Sequence, residues 1–288
     1  MANIAVRSPY FVSVSTSGGA YAILSVGGYN IRKDATGYVD ISDIARDSVN
    51  PTYSGSIASS STGAATITGS YTIYDSSGSV VSSNQGAFSH VAYDGYGYFS
   101  DGSNYTLSGT PLSGTEIWFP EDTAGSIYTA LGTKTSFLAT DTSVGGITIR
   151  RQMCSKYTPI KAAFINRFGV PQELYFFGAI REAVSSEGET YKIGAVGGTY
   201  STSSHQRRTL VKNGSVSYTL STGFVSEVYN EYVREMMVSE QVWLVIDGVT
   251  RPVHPVSSSV ELRTSLNDKL VEYTVQFEQA NDLISTMR

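Results

Sequence analysis

The most constraining feature of this sequence is that its apolar residues come in short runs, many of which lead into turns that contain glycine or serine. In the last of these runs Val271, Tyr273, Val275 and Phe277 alternate with polar residues. Such alternation places one face of a strand in a core and the other in water. Because a single segment has the period of a helix, the pattern predicts an all-β chain with minor α content.

Short strands joined by Gly/Ser turns are predicted for the first part of the chain. Residues 20–26 form a strand that stops at Gly27-Gly28, and residues 64–74 and 79–83 flank a turn and form a hairpin. Further short elements are expected as a strand at 38–41 and one capped helical turn at 42–46.

Two β-sandwich-like domains fit this spacing of strands better than alternating strands and helices do. We assign residues 1–120 to a peripheral N-terminal sandwich and residues 150–288 to a second sandwich that carries a helix. Residues 121–149 are rich in Gly, Thr and Ser and are expected to be an irregular connection. The low-complexity stretch at 54–63 is expected to be a mobile loop.

Two hairpins are predicted in the second half. Residues 160–166 and 172–177 are apolar runs separated by a segment with Gly and Pro, which favours a short loop. Residues 209–212 and 215–220 flank Asn213-Gly214, and this dipeptide tolerates the positive φ angles of a type I′ turn.

One amphipathic helix is predicted at 226–239, with Ser226 as its N-cap. Its apolar face comprises Val225, Val228, Tyr229, Tyr232, Val233 and Met236. Its polar face comprises Glu227, Asn230, Glu231, Arg234 and Glu235.

A buried strand at 242–246 follows the helix and turns at Asp247-Gly248. Pro252 and Pro255 come next, and neither has an N–H to donate to a sheet. The strand that contains them is therefore expected at a sheet edge.

Charged residues make up 16% of the chain, against about 25% in typical proteins. A surface with few ions touches other proteins without a large desolvation penalty, which favours a permanently packed subunit. The net charge of −5 gives no electrostatic case for binding nucleic acid. No signal peptide and no membrane span are expected.

Catalytic signatures are missing from the sequence. The three histidines, His90, His205 and His254, have no metal-ligand spacing, and Cys154 is the single cysteine. Acid pairs at Glu187 and Glu189, or at Asp94 and Asp101, resemble glycosidase carboxylates, but a turn or solvated role is the simpler interpretation. We therefore expect neither an enzyme nor a cofactor nor a metal, with a polysaccharide depolymerase as the enzymatic alternative.

An aromatic cluster is the best candidate for recognition of a ligand. It comprises Tyr93, Tyr96, Tyr98, Phe99 and Tyr105. Tyrosine on Gly-rich loops gives rigid, amphipathic contact area, as binding loops do. The alternative is that these rings pack the edge of a sandwich.

Several motifs together resemble virion structural proteins of tailed bacteriophages. In the first half these are RSPYFV at 7–12 and DISDIARD at 40–47. In the second half they are KYTP at 156–159, FINRFG at 164–169, LYFF at 174–177, TSLNDKL at 264–270 and YTVQFE at 273–278.

The resemblance implies a structural component of a phage tail, located in the virion and made in the host cytoplasm. The order of strands and helix in the second half is similar to tail-tube and distal-tail proteins, which form rings that are commonly six-fold. The long Ser/Gly-rich first half is a departure from a minimal tube protein and favours a baseplate or tail-tip ring. The expected partners are further copies of the chain and other tail proteins.

Two functional hypotheses follow from the sequence. In the first, the chain is a ring-forming tail subunit whose contacts are strand edges and the residues Asn213, Gly214, Phe168 and Tyr229. In the second, it is a host-surface glycan-recognition module that uses the aromatic cluster.

Overall fold

The computed structural model describes residues 1–112, 114–153, 156–194, 201–203, 205–256 and 270–284. Strands account for 53% and helices for 7% of the residues, which confirms the all-β prediction with minor α content. Cys154 and residues 264–269 of the TSLNDKL motif lie outside the described residues.

The first part of the chain builds a five-stranded sheet with the order β1-β7-β6-β3-β4 and a two-stranded sheet of β2 and β5. These strands are β1 (Ala2–Ala5), β2 (Phe11–Val14), β3 (Tyr21–Val26), β4 (Tyr29–Lys33), β5 (Gly37–Asp40), β6 (Ala65–Tyr74) and β7 (Val80–Tyr93). Apolar side chains from both sheets share one core.

Local turn chemistry explains the connections within this part. The predicted turn between β3 and β4 is confirmed, because Gly27 and Gly28 adopt φ values of 56° and 85°. The predicted β6–β7 hairpin is also confirmed, and Asp75 Oδ1 accepts the N–H groups of Ser77 and Ser79 at 2.8 Å. The expected helical turn is α1 (Ser42–Arg46).

Residues 121–149 differ from the expected irregular connection. The chain forms β8 (Glu116–Pro120), β9 (Gly125–Ala130), β10 (Thr133–Phe137), β11 (Ser143–Val144) and β12 (Ile147–Gln152). β12 pairs in parallel with β8, and Ile149 lies inside it. Ile117, Phe119 and Ile149 join the core of the second half, so this segment packs with that half.

The second half is organised around a seven-stranded sheet with the order β14-β13-β17-β18-β19-β16-β15. Its strands are β13 (Ile160–Ile165), β14 (Pro171–Phe176), β15 (Arg181–Lys192), β16 (Arg207–Ser226), β17 (Val242–Ile246), β18 (Val249–Pro255) and β19 (Leu270–Gln279). The sheet curves until β14 and β16 approach each other. Gly178, which follows β14, donates its N–H to the Ser221 carbonyl of β16 at 2.9 Å.

The predicted 160–166/172–177 hairpin, the turn at Asp247-Gly248 and the alternating last strand are confirmed. The edge position predicted for the strand with Pro252 and Pro255 is wrong, because β18 lies between β17 and β19. The Pro252 carbonyl accepts the Ala280 N–H at 2.9 Å. In a strand, a residue's N and C=O point to the same side. The missing N–H of Pro252 therefore faces the place where β19 ends.

The hairpin predicted at Asn213-Gly214 is wrong. β16 runs through both residues without turning, and they pair with Glu187 and Ser186 of β15. Neither residue adopts the positive φ that a type I′ turn requires. A ladder that spans all of β15 outweighs the local turn preference of one dipeptide.

The helix is α2 (Tyr229–Val238), shorter than the predicted 226–239. Ser226 is the last residue of β16 and donates a hydrogen bond to Glu116, so its predicted role as N-cap is wrong. Tyr229, Tyr232, Val233 and Met236 are buried as predicted. Glu235 was assigned to the polar face, yet it is 0% exposed and accepts the Arg167 N–H at 3.0 Å.

The stretch at 54–63 has neither helix nor strand, but it is held against the second half by hydrogen bonds. Lys161 Nζ donates to the Gly55 carbonyl at 2.6 Å, and the Tyr128 hydroxyl donates to the Ala58 carbonyl at 2.5 Å. Tyr53 and Ile57 are buried in a cluster with Ala163 of β13.

Candidate assembly surface

A two-stranded ribbon extends from the seven-stranded sheet. It consists of β15 and residues 207–216 of β16, paired antiparallel. All twelve residues of β15 are exposed, as are residues 207–212 of β16. The ribbon contributes little to the core. Packing within this chain therefore does not explain why the two strands are so long.

Within the described part of the chain both edges of the ribbon are open over most of their length, except that the Gly214 carbonyl of β16 accepts the Leu283 N–H at 2.8 Å. β15 is the last strand of its sheet, so its outer edge has no neighbouring strand. β19 pairs with β16 only from Ser217 onward, which leaves residues 207–212 with β15 on one side alone. Unpaired N–H and C=O groups along an edge are a template for another strand.

The surface of the ribbon mixes apolar and charged side chains. Its exposed apolar residues are Val184, Tyr191, Leu210 and Val211. Glu187 and Glu189, the first of the two acid pairs, lie exposed on β15 opposite Asn213 and Val211. This placement matches the solvated interpretation of that pair.

The aromatic cluster gathers around Arg167, which follows β13. The Arg167 guanidinium carbon lies 4.6 Å from the ring centroid of Tyr98 and 5.6 Å from that of Tyr105. Its Nη2 donates to the Tyr105 hydroxyl at 2.7 Å and to Asp101 Oδ2 at 3.2 Å. A cation over aromatic faces is attracted by their negative charge density.

Glu231 of α2 holds the cluster on its other side. The Tyr98 hydroxyl donates to Glu231 Oε1 at 2.7 Å. Burial and this hydrogen bond raise the pKa of Tyr98 to about 12. Burial, with the nearby charge of Glu235, also raises the pKa of Tyr96 well above its usual range.

The five predicted recognition residues have different environments. Tyr93 is buried beneath the loop, and Tyr96, Tyr98 and Tyr105 are partly buried. Phe99 is 105% exposed on a single 3-10 turn, Phe99–Asp101, which Asp101 Oδ2 closes by accepting the Tyr98 N–H at 2.8 Å. Most of the cluster therefore packs one part of the chain against another, and its recognition role stays a prediction.

No protein-family model matches this chain, and no curated protein matches it. Among solved structures, a chain from the virion of a native gene transfer agent particle is 18% identical. The match covers 36% of this chain and 78% of that chain, with a TM-score of 0.23. A chain from the tail of an empty gene transfer agent particle with six-fold symmetry has the same identity and TM-score, with 36% and 77% covered. These values do not establish a common fold.

The four predicted assembly residues are separated in the structure. Asn213 and Gly214 lie in the ribbon. Phe168 is partly buried in the turn between β13 and β14. It packs against two buried clusters, one that contains Ala163 and one that contains Tyr93. Tyr229 is 1% exposed inside the core, so the expectation that it forms a surface contact is wrong.

The remaining candidate residues are used in packing and ion pairs. Asp94 binds Arg7, and Asp101 closes the 3-10 turn, so these two acids do not form a glycosidase pair. His90 lies against the rings of Tyr10 and Phe88, and burial lowers its pKa. The described residues contain no group of three His, Cys, Asp or Glu side chains suited to a metal. Neither described helix has the length and hydropathy to cross a membrane.

Sequence reasoning missed Arg167 and the ribbon for different reasons. Arg167 has no local signal, because its partners come from residues 98–105 and from α2. The ribbon was not predicted because the Asn213-Gly214 dipeptide favours a turn, and a turn there would interrupt β16. Val216, Tyr218 and Leu220 alternate with polar residues, but Lys212 and Gly214 interrupt the pattern, so it did not indicate a strand that continues through Asn213.

Proposed function

We propose that this protein is a structural subunit of a bacteriophage-like tail, and that it assembles through the β15–β16 ribbon. The observation that carries the proposal is the ribbon itself, an exposed two-stranded extension in which β15 and residues 207–212 of β16 each have an edge with no neighbouring strand among the described residues. An isolated ribbon of this kind is marginally stable in water, so its length is best explained by a partner that covers it.

The two edges of the ribbon suit head-to-tail assembly. In a closed ring each copy offers two different surfaces to its two neighbours. The outer edge of β15 and the free edge of residues 207–212 in β16 are two such surfaces. Strand addition at either edge would extend the sheet into the next copy.

The finer assignment is a baseplate, tail-tip or adaptor ring in the virion, with six-fold symmetry and with other tail proteins above and below it. The motifs that resemble those of phage virion proteins support this assignment. The large first part of the chain supports a position with a peripheral domain rather than a plain tube. The sparse charge supports permanent burial of surface against other subunits.

The test is assembly of the purified chain and of two matched variants. Leu210 is 55% exposed on the ribbon, and Leu138 is 67% exposed after β10. We expect the wild-type protein to form rings at high concentration, visible in electron micrographs and as a large mass in light scattering. Leu210→Glu should stay monomeric because it places a charge in the covered surface, whereas Leu138→Glu should assemble normally.

Two outcomes would contradict the proposal. One is a wild-type protein that remains monomeric and shows no rings at any accessible concentration. The other is loss of assembly in Leu138→Glu to the same degree as in Leu210→Glu, which would separate assembly from the ribbon.

A further inference from the structure

A cavity of about 340 Å³ lies at the root of the ribbon, where β15 and β16 leave the sheet. Its polar side chains belong to Tyr157, Arg181, Thr219, Ser221, Glu272 and Thr274. Arg181 and Thr219 are the first pair between β15 and β16, and Glu272 and Thr274 lie on the outward face of β19. The volume falls within the range of small-molecule sites.

The wall of the cavity is fixed by close backbone contacts. Gly178 donates its N–H to the Ser221 carbonyl at 2.9 Å. A Cβ atom on Gly178 would lie 2.6 Å from Ser221 Cβ, so only glycine allows this approach. The Ser221 hydroxyl in turn donates to Glu272 Oε1 at 2.5 Å, which orients the carboxylate. The Glu272 carboxylate is thus positioned before any ligand arrives.

The cavity offers every type of hydrogen-bonding group. The Glu272 carboxylate only accepts and the Arg181 guanidinium only donates, while the hydroxyls of Thr219 and Thr274 do both. Within the described residues Arg181 and Glu272 form no ion pair, so both have hydrogen-bonding capacity left. A ligand that matches this set has several groups that each donate and accept.

The charges of the cavity argue for a neutral ligand. A phosphate would meet the Glu272 carboxylate, and an amine would meet the Arg181 guanidinium. Lys156 has its Nζ 5.4 Å from the centroid of the Tyr157 ring, but its side chain does not line the cavity. A free amino acid would satisfy both charges, but ion pairs between exposed groups contribute little in water.

We propose that this cavity binds a neutral saccharide. Vicinal hydroxyls of a sugar ring suit the paired oxygens of Glu272 and the forked donors of Arg181. The Tyr157 ring, partly exposed at the cavity, supplies amphipathic surface for the apolar face of the sugar. The site is distinct from the aromatic cluster around Arg167, and it does not depend on the proposed tail function.

Saturation-transfer NMR on the full chain tests the proposal, with maltose, lactose, cellobiose and N,N′-diacetylchitobiose as probes. We expect transfer to the ring protons of at least one sugar. Glu272→Gln should weaken that sugar's binding about tenfold, since a hydrogen bond to a charged acceptor is replaced by one to a neutral group. Arg181→Gln should have a similar effect.

Glu278→Gln is the matched control, because Glu278 lies on the same strand and outside the cavity. We expect it to bind as the wild type does, and Glu272 is exposed enough for its variant to fold. Thermal unfolding of both variants checks this directly.

Three results would overturn the proposal. These are no transfer to any of the four sugars, sugar binding that Glu272→Gln leaves unchanged, and displacement of the sugar by inorganic phosphate or by glycine at equal concentration. Ring formation is measured separately, so failure here leaves the assembly proposal standing, and the reverse also holds.

Discussion

Arg7 and Asp94 form an ion pair through two hydrogen bonds, from Nε to Oδ1 at 2.7 Å and from Nη2 to Oδ2 at 2.5 Å. The side chains are only 10% and 8% exposed. Arg7 follows β1 and Asp94 follows β7, so the pair joins the ends of two parallel neighbours. Arg7 Nη1 also lies 3.7 Å from Glu240 in the second half.

Asp94→Asn should lower the free energy of unfolding by about 3 kcal/mol, because it leaves a largely buried guanidinium with only the more distant Glu240 as counter-charge. Urea denaturation measures this change. Asp34→Asn is the control, since Asp34 pairs with Arg32 on the exposed surface, and its loss should change stability by less than about 1 kcal/mol. Equal effects of the two substitutions would show that the Arg7–Asp94 pair is not specially stabilising.

Gly95→Ala should destabilise the fold by about 1–3 kcal/mol through overpacking. A Cβ at this position would lie 2.5 Å from the Arg167 carbonyl oxygen, in the contact between the loop after β7 and the turn after β13. Gly37→Ala is the control, because its nearest neighbour would be 4.0 Å away. The melting temperatures of Gly95→Ala and Gly37→Ala, each compared with that of the wild type, measure this difference. An unchanged value for Gly95→Ala would contradict the close approach.

Asp247→Thr should destabilise by about 1–3 kcal/mol, because Asp247 has a φ of 51° and a β-branched residue is strained there. Asn213→Thr should change stability by less than about 1 kcal/mol, since threonine suits a strand. Chemical denaturation of both variants measures the loss of stability at Asp247, where a turn forms, and at Asn213, where the strand continues. A larger loss for Asn213→Thr than for Asp247→Thr would contradict this prediction.

Tyr98→Phe should weaken the pH dependence of stability in alkali. The Tyr98 pKa is about 12 in the fold, above the value of about 10 for an exposed tyrosine. A raised pKa stabilises the fold fully below about pH 10, and this contribution is lost as the pH rises through about 12.

Unfolding free energies measured between about pH 9 and about pH 12 should therefore fall less steeply in Tyr98→Phe than in the wild type. Tyr38→Phe, which removes the hydroxyl of a ring that is 70% exposed, is the comparison variant. Identical slopes for all three proteins would exclude a role of Tyr98 in this loss.

Local patterns were sufficient for much of the fold. The β6–β7, β13–β14 and β17–β18 hairpins are close in sequence, and each has a turn whose residues favour it. The apolar face of α2 follows from its period. The formation of these hairpins and of α2 depends on residues that are close in sequence. Hydrophobic periodicity and the turn preferences of single residues act over the same short range.

Long-range pairing was not predictable in the same way. The parallel contacts of β1 with β7 and of β8 with β12 join strands that nothing local connects. Glu235 has the helical position of a surface residue, but the Arg167 N–H from the β13–β14 turn meets it in the interior. The candidate cavity likewise assembles β15, β16 and β19 with Tyr157, so none of its residues stood out in the sequence.

Residues 53–63 belong to the first part of the chain and yet complete the interior of the second, where Tyr53 and Ile57 cover Ala163. The two parts are therefore not interchangeable modules. Recombination that replaced the first part with that of a distant relative would also replace residues 53–63. Lys161 and Tyr128, which donate to carbonyls of this segment, would remain in the second part. Inheritance of the two parts as a unit is the evolutionary consequence.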